Sequence, residues 1–212
     1  MVGYSAGSVA DKGIENTCLG AFAGTSLDNG SYNLYHGRRA GLLNSSGDNN
    51  IGIGYNAAAS QSGTNRSIFA GADIQVDGND MVALGYNSLN DGEFSVSMGS
   101  EHYVTGPGAI CLGYSSGLSG NYSIAIGYQD SVAAPDVVAI GANSLVSDTG
   151  SISIGTGNTV SGKNSILIGY GGTLSADNAG YIGNSTVTSV GGPVNWTATS
   201  DGRFKRNVQE NV

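Results

Sequence analysis

An all-β parallel solenoid is the fold class this sequence predicts, and three observations predict it. Glycine recurs in fixed register through most of the 212 residues. Short stretches of alternating aliphatic residues sit in front of each of those glycines. No single repeat carries enough apolar side chains to fold alone, so neighbouring repeats must share a core.

The register runs Gly3, Gly20, Gly37, Gly54 and Gly71 at intervals of 17, then Gly85, Gly99, Gly113, Gly127, Gly141, Gly155, Gly169 and Gly183 at intervals of 14. The third and first positions before the anchor are aliphatic, as in Ile110/Leu112, Ile124/Ile126, Val138/Ile140 and Ile152/Ile154. Alternation with period two over so short a stretch is a β-strand with one buried face. Five residues after the anchor a further aliphatic recurs, among them Val76, Val104, Leu118, Val132, Val146, Val160 and Leu174. A turn rich in Gly, Asn, Ser and Asp then leads to the next repeat. Each repeat reads as strand, glycine bend, second short strand and turn. At strand spacing the thirteen rungs make a rod roughly 60 Å long. The anchor glycine supplies a positive φ or a close backbone approach at the bend.

The flanking aliphatics are expected to point inward. The residue between them, two before the anchor, then points outward. Its occupants include Cys18, Tyr35, Ala83, Ser97, Cys111, Ala125, Ala139 and Ser153, and none is charged. A solvated ladder would carry charges, so this column is expected to pack against other copies of the chain in a homotrimer. Cys18 and Cys111 fall in it six rungs apart, nearly 30 Å by strand spacing and beyond disulfide reach. They read as small apolar fillers.

Composition excludes several classes. Glycine contributes 36 residues against 3 prolines, without a Gly-X-Y period, which rules out collagen. Charged residues make up 11 %, too few for ordinary disorder. A net charge of −8 disfavours nucleic acid as a partner. No apolar run is long enough for membrane insertion by a helix. Met1 leads directly into a repeat, which reads as the start of an excised fragment or of a chain whose upstream part is missing. No metal-ligand spacing, phosphate loop or cofactor motif stands out, so neither metal nor cofactor is expected.

The stretches "NYSIAIGYQDSV", "DVVAIGANSLV" and "SISIGTGNTV" closely resemble the head repeats of trimeric autotransporter adhesins. The resemblance covers residues 72–183 and implies a left-handed parallel β-roll, wound side by side in a homotrimer. Residues 1–71 resemble a widened variant of the same coil found in phage fibres and bacterial surface proteins. Residues 184–199 read as a linker or cap. The segment "NWTATSDGRFKRNVQENV" resembles the junction into the intramolecular chaperone domain of phage endosialidase tailspikes. That resemblance implies a self-cleavage dyad at Ser200 and Lys205, with residues 200–212 the start of the chaperone. With no chaperone body following Val212, the dyad is expected to be inert in this chain.

Two surface features bear on ligands. Tyrosine follows the anchor at Tyr4, Tyr55, Tyr86, Tyr114, Tyr128 and Tyr170, a ladder expected mainly to shield the bend by stacking. Tyr35, His36, Arg38 and Arg39 form the one basic cluster within the coils and are the candidate binding residues, for an anion or acidic sugar or for a metal on the trimer axis. The function expected is a structural and receptor-attachment segment of a trimeric tail fibre or tailspike, of a phage or phage-like injection apparatus. Its partners would be its own copies, tail or baseplate proteins and host-surface carbohydrate. It would sit on the virion tail or outside the cell. A bacterial cell-surface adhesin head is the alternative.

Enzymatic readings fit less well. A β-helical acyltransferase would show 18-residue coils with an aliphatic every six residues. A polysaccharide-degrading tailspike needs paired carboxylates on the coil surface. Asp73, Asp77, Asp80, Asp91, Glu93 and Glu101 are the candidates, and they read more readily as turn residues.

Overall fold

A computed structural model describes residues 1–8, 12–57 and 63–191. Every rung after the first contributes one strand to a twelve-stranded parallel sheet that runs from Thr17–Leu19 to Gly180–Ile182. Val2 extends it by a parallel bridge to Leu19, which brings the N-terminal rung into the stack. Register is strict. Ala125 lies beside Cys111 and Ala139, and Gly127 beside Gly113 and Gly141. A second parallel sheet of eight two-residue strands runs from Gln75–Val76 to Thr173–Leu174. No helix among the described residues is long and apolar enough to cross a membrane.

The second sheet exists only where the period is 14. In the 17-residue coils the far side is built from turns instead. Gly24 donates to the Ala40 carbonyl and Gly41 to the Ala57 carbonyl, at 2.8 and 2.9 Å. The expectation of a second strand in every coil is therefore corrected for the wide coils. Their extra three residues are spent on a bend that carries Ala23, Ala40 and Ala57 into the interior.

The assignment of faces is the principal correction. Ala125, Ala139 and Ser153, expected to point outward, are completely buried inside the coil. Ile126 and Ile154, expected to point inward, are 36 % and 38 % exposed. The reason is the width of the coil. In a 14-residue turn the two sheets face each other closely, and each strand sends a single central side chain into the gap. That side chain is small in most of the narrow rungs, where Val132 or Val146 from the opposite sheet fills the rest, and Leu167 is the large exception near the C-terminal end. At the same inward position a wide rung holds Tyr35, and the rung at the change of period holds Phe69. Cys18 and Cys111 are buried free thiols in this column, fillers of the coil's own core rather than of a contact between chains.

Two details fix the bend. Anchor glycines adopt positive φ, +142° at Gly127 and +143° at Gly141, and a methyl group there would run into the carbonyl of the next anchor glycine. Two residues on, a left-handed residue completes the turn, commonly Asn or Asp as at Asn56, Asp73, Asn87 and Asn143.

Polar side chains inside the coil satisfy the amides that the strands leave free. In the wide coils an asparagine ladder does this: the Asn50 amide nitrogen and backbone both donate to Asn33 Oδ1, and Asn33 does the same to Asn16. In the narrow coils serine takes over. Ser123 Oγ accepts from the Val137 backbone and donates to the Ala134 carbonyl, both at 3.0 Å.

Candidate assembly and attachment face

With the small residues turned in, the outer surface of the long sheet carries three columns. They stand three before, one before and one after each anchor, as in Ile124, Ile126 and Tyr128. The first two are aliphatic in almost every rung, and the middle one is the most uniformly so. From the first to the last strand this face is about 50 Å long and about 13 Å wide. That continuous apolar band exceeds the patches ordinary monomers leave in water. The outward column of the short sheet, by contrast, mixes Gln75, Tyr103, Ser131, Thr159 and Thr173 with leucines.

The tyrosine ladder forms the third column of the same face. Tyr114 and Tyr128 stack at 5.5 Å between centroids with rings 13° from parallel, and Tyr4 meets Phe22 edge-on at 5.4 Å. Glu101, beside the Tyr114 hydroxyl, pushes its pKa up. Tyr55 is covered by a cation: the Arg38 guanidinium carbon lies 5.6 Å from the ring centre, and Nη1 reaches the hydroxyl at 3.4 Å.

The four residues of the basic cluster divide between inside and outside. Tyr35 is buried, stacks on Phe69, and its hydroxyl accepts a 2.7 Å hydrogen bond from Asn44, so burial raises its pKa and it faces away from the others. His36 occupies the middle outward column and Arg38 the third, both exposed. Arg39 lies in the left-handed turn position, φ +63°, at the edge. Ser200 and Lys205 lie outside the described residues.

The acidic residues near the change of period are dispersed. Asp80 is held by Arg66 through two 2.6 Å contacts, which keep its carboxyl below the usual range. Asp73 accepts from Asn56. Burial, and then the charge of Asp77 on the adjoining rung, push Asp91 up. Among the described residues no group of three or more His, Cys, Asp or Glu is disposed to hold a metal.

One buried feature escaped the sequence reading. The third residue after the anchor points inward in the narrow coils, giving a polar ladder Ser88, His102, Ser116, Asp130, Ser144 and Asn158. Ser116 Oγ accepts from the Asp130 backbone at 3.1 Å. Ser144 and Asn158 each donate a side-chain hydrogen to the next anchor carbonyl, Gly155 and Gly169. His102 Nδ1 lies 3.1 Å from Ser97 Oγ, and burial lowers its pKa against an opposing backbone contact at Gly113. The recurrence of polar residues at this register was the available signal; strong turn composition around it hid it.

A parallel solenoid with an apolar outer sheet face defines a repeat protein. Within it, residues 105–129, 119–144, 138–158 and 147–171 match the YadA head domain repeat. The matched span lies wholly in the narrow coils. No curated protein matches the chain.

Proposed function

We propose that the chain is the shaft-like head of a homotrimeric surface adhesin or fibre, holding an attachment surface away from the structure that bears it. The observation that carries this reading is the apolar band centred on Ile126, Ile140 and Ile154, in a protein otherwise rich in polar turns. Covering each such isoleucine contributes about 1–2 kcal/mol. Three copies around a common axis bring the middle column inward and set the flanking columns against neighbours, a heterologous contact that closes. The repeats of residues 105–171 support an adhesin-type head outside the cell.

Attachment to host-surface glycans fits the same form, because a rigid rod presents several weak sites at once and gains avidity. A tail-fibre origin rests on the sequence resemblance of the wide coils and of the C-terminal segment with Ser200 and Lys205. In that setting self-cleavage would follow trimerisation, with Lys205 as base to Ser200.

Equilibrium sedimentation of the full chain tests the assembly, with trimer as the expected species. A folded, stable monomer or dimer overturns it. Binding to an array of host glycans, lost when the chain is held monomeric, tests the attachment role.

A further inference from the structure

The assembly face has one rung unlike all the others. Down the middle column the residues are Leu, Ile, Val, Ala or Met, except at His36. Down the three columns together, among the described residues, Arg38 is the one charged side chain, and no carboxylate appears in any of them. His36 ends the strand Leu34–His36, and Arg38 follows two residues on, across the bend at Gly37. Both are exposed in the single chain, and the rungs on either side present Leu19 and Ala21, then Ile53 and Tyr55.

Resting on the trimer reading, we infer that this rung is an oxyanion site completed only by assembly. In a three-fold rod each residue lies at the same height as its two copies, and the middle column is the one that faces the axis. Three imidazoles then face the axis in a seam lined by aliphatics, with three guanidinium groups beside them and no acid on the face to balance them. A buried cation without a partner is costly, so the rung either weakens the seam or takes up a counter-ion. A phosphate, sulfate or carboxylate suits the donors, because guanidinium offers a planar fork of N–H groups and imidazole a further N–H. A metal cation suits them poorly, since Arg38 would repel it. Tyr55 steadies Arg38 from the next rung, which orders a donor that would otherwise sample solvent.

The test uses the full chain with inorganic phosphate as probe. Sedimentation first establishes the trimer; a monomer at this stage defeats the assembly reading and is distinguishable from failure of the anion site. Thermal unfolding is then followed in phosphate and in chloride at equal ionic strength. Phosphate is expected to raise the melting midpoint by about 3 °C or more. Arg38→Gln and His36→Leu, both at exposed positions, are expected to remain trimeric and to lose that rise. A parallel column of immobilised sulfated polysaccharide separates the sources of the anion. Retention that phosphate competes away and Arg38→Gln abolishes assigns the same donors to an acidic sugar; no retention leaves the small ion in the seam. An unchanged midpoint in phosphate with no retention on the column overturns the inference. So does a rise that survives Arg38→Gln, or stabilisation by zinc alone.

Discussion

Asp130 Oδ1 accepts a 2.9 Å hydrogen bond from the backbone amide of Ser144, one rung along, while Oδ2 is buried without a partner. The equivalent residue two rungs further, Asn158, shows what that second oxygen faces. Its amide nitrogen donates to the Ile154 carbonyl at 3.3 Å and to the Gly169 carbonyl at 3.1 Å. In the rung of Asp130 those acceptors are Ile126 and Gly141, and only a protonated carboxyl can donate to them. Burial raises the Asp130 pKa, and burial likewise pushes the Cys111 thiol up to about 12.

A pH dependence follows. A carboxyl whose pKa is raised on folding stabilises the coil at low pH and loses that contribution as pH rises from the ordinary value of 3.8 through the folded one. His102 works in the opposite direction, because its lowered pKa removes stability as pH falls from 6.5. Asp130→Asn is expected to raise the melting midpoint at pH 8 by a few degrees, since two carbonyls gain an amide donor worth about 1 kcal/mol. It should also flatten the profile above pH 3.8, as differential scanning calorimetry would show. A lower midpoint at pH 8 would refute the gain of these two hydrogen bonds.

The two faces of the strand make opposite predictions for adjacent residues. Ala125→Glu places a carboxylate inside the coil and is expected to cost more than about 3 kcal/mol, unfolding the neighbouring rungs. Ile126→Asp places one on the outer face, where the single coil tolerates it and assembly does not. Circular dichroism should show loss of β signal in the first variant only, and sedimentation should show dissociation in the second.

Gly52 separates the stacked rings of Tyr35 and Phe69, which lie 6.2 Å apart. A methyl group at Gly52 would come within 2.8 Å of the Tyr35 ring and press into Phe69. Gly52→Ala should therefore destabilise by about 1–3 kcal/mol. Denaturant titration measures it, and a Phe69→Leu background should relieve most of the loss.

The anchor glycines offer a test of the bend. Gly127→Ala demands a positive φ from a residue with a Cβ and drives that carbon into the Gly141 carbonyl, so a loss of about 2 kcal/mol or more is expected. Gly117→Ala is the control, because nothing lies near a methyl group there and φ is ordinary. Equal stability of the two variants would argue against the steric role of the anchor.

The spacing of thirteen glycines by itself determined the solenoid, the rung register and the position of every strand of the long sheet. It could do so because a repeat that cannot fold alone must stack on its neighbours. Only the tertiary structure decided which side of each strand is the inside. Period-two alternation marks two faces without naming them, and in this chain both faces are free of acidic and basic residues except at the Arg38 rung. Aliphatic bulk usually marks the interior, yet here the inward position takes Ala125 and the larger Ile126 is left on the outer face. The buried Asp130 and His102 were hidden for a related reason. Residues that read as turn chemistry in sequence lie, once the coil closes, against the free carbonyls and amides of the rung above, where a polar side chain is what the backbone requires.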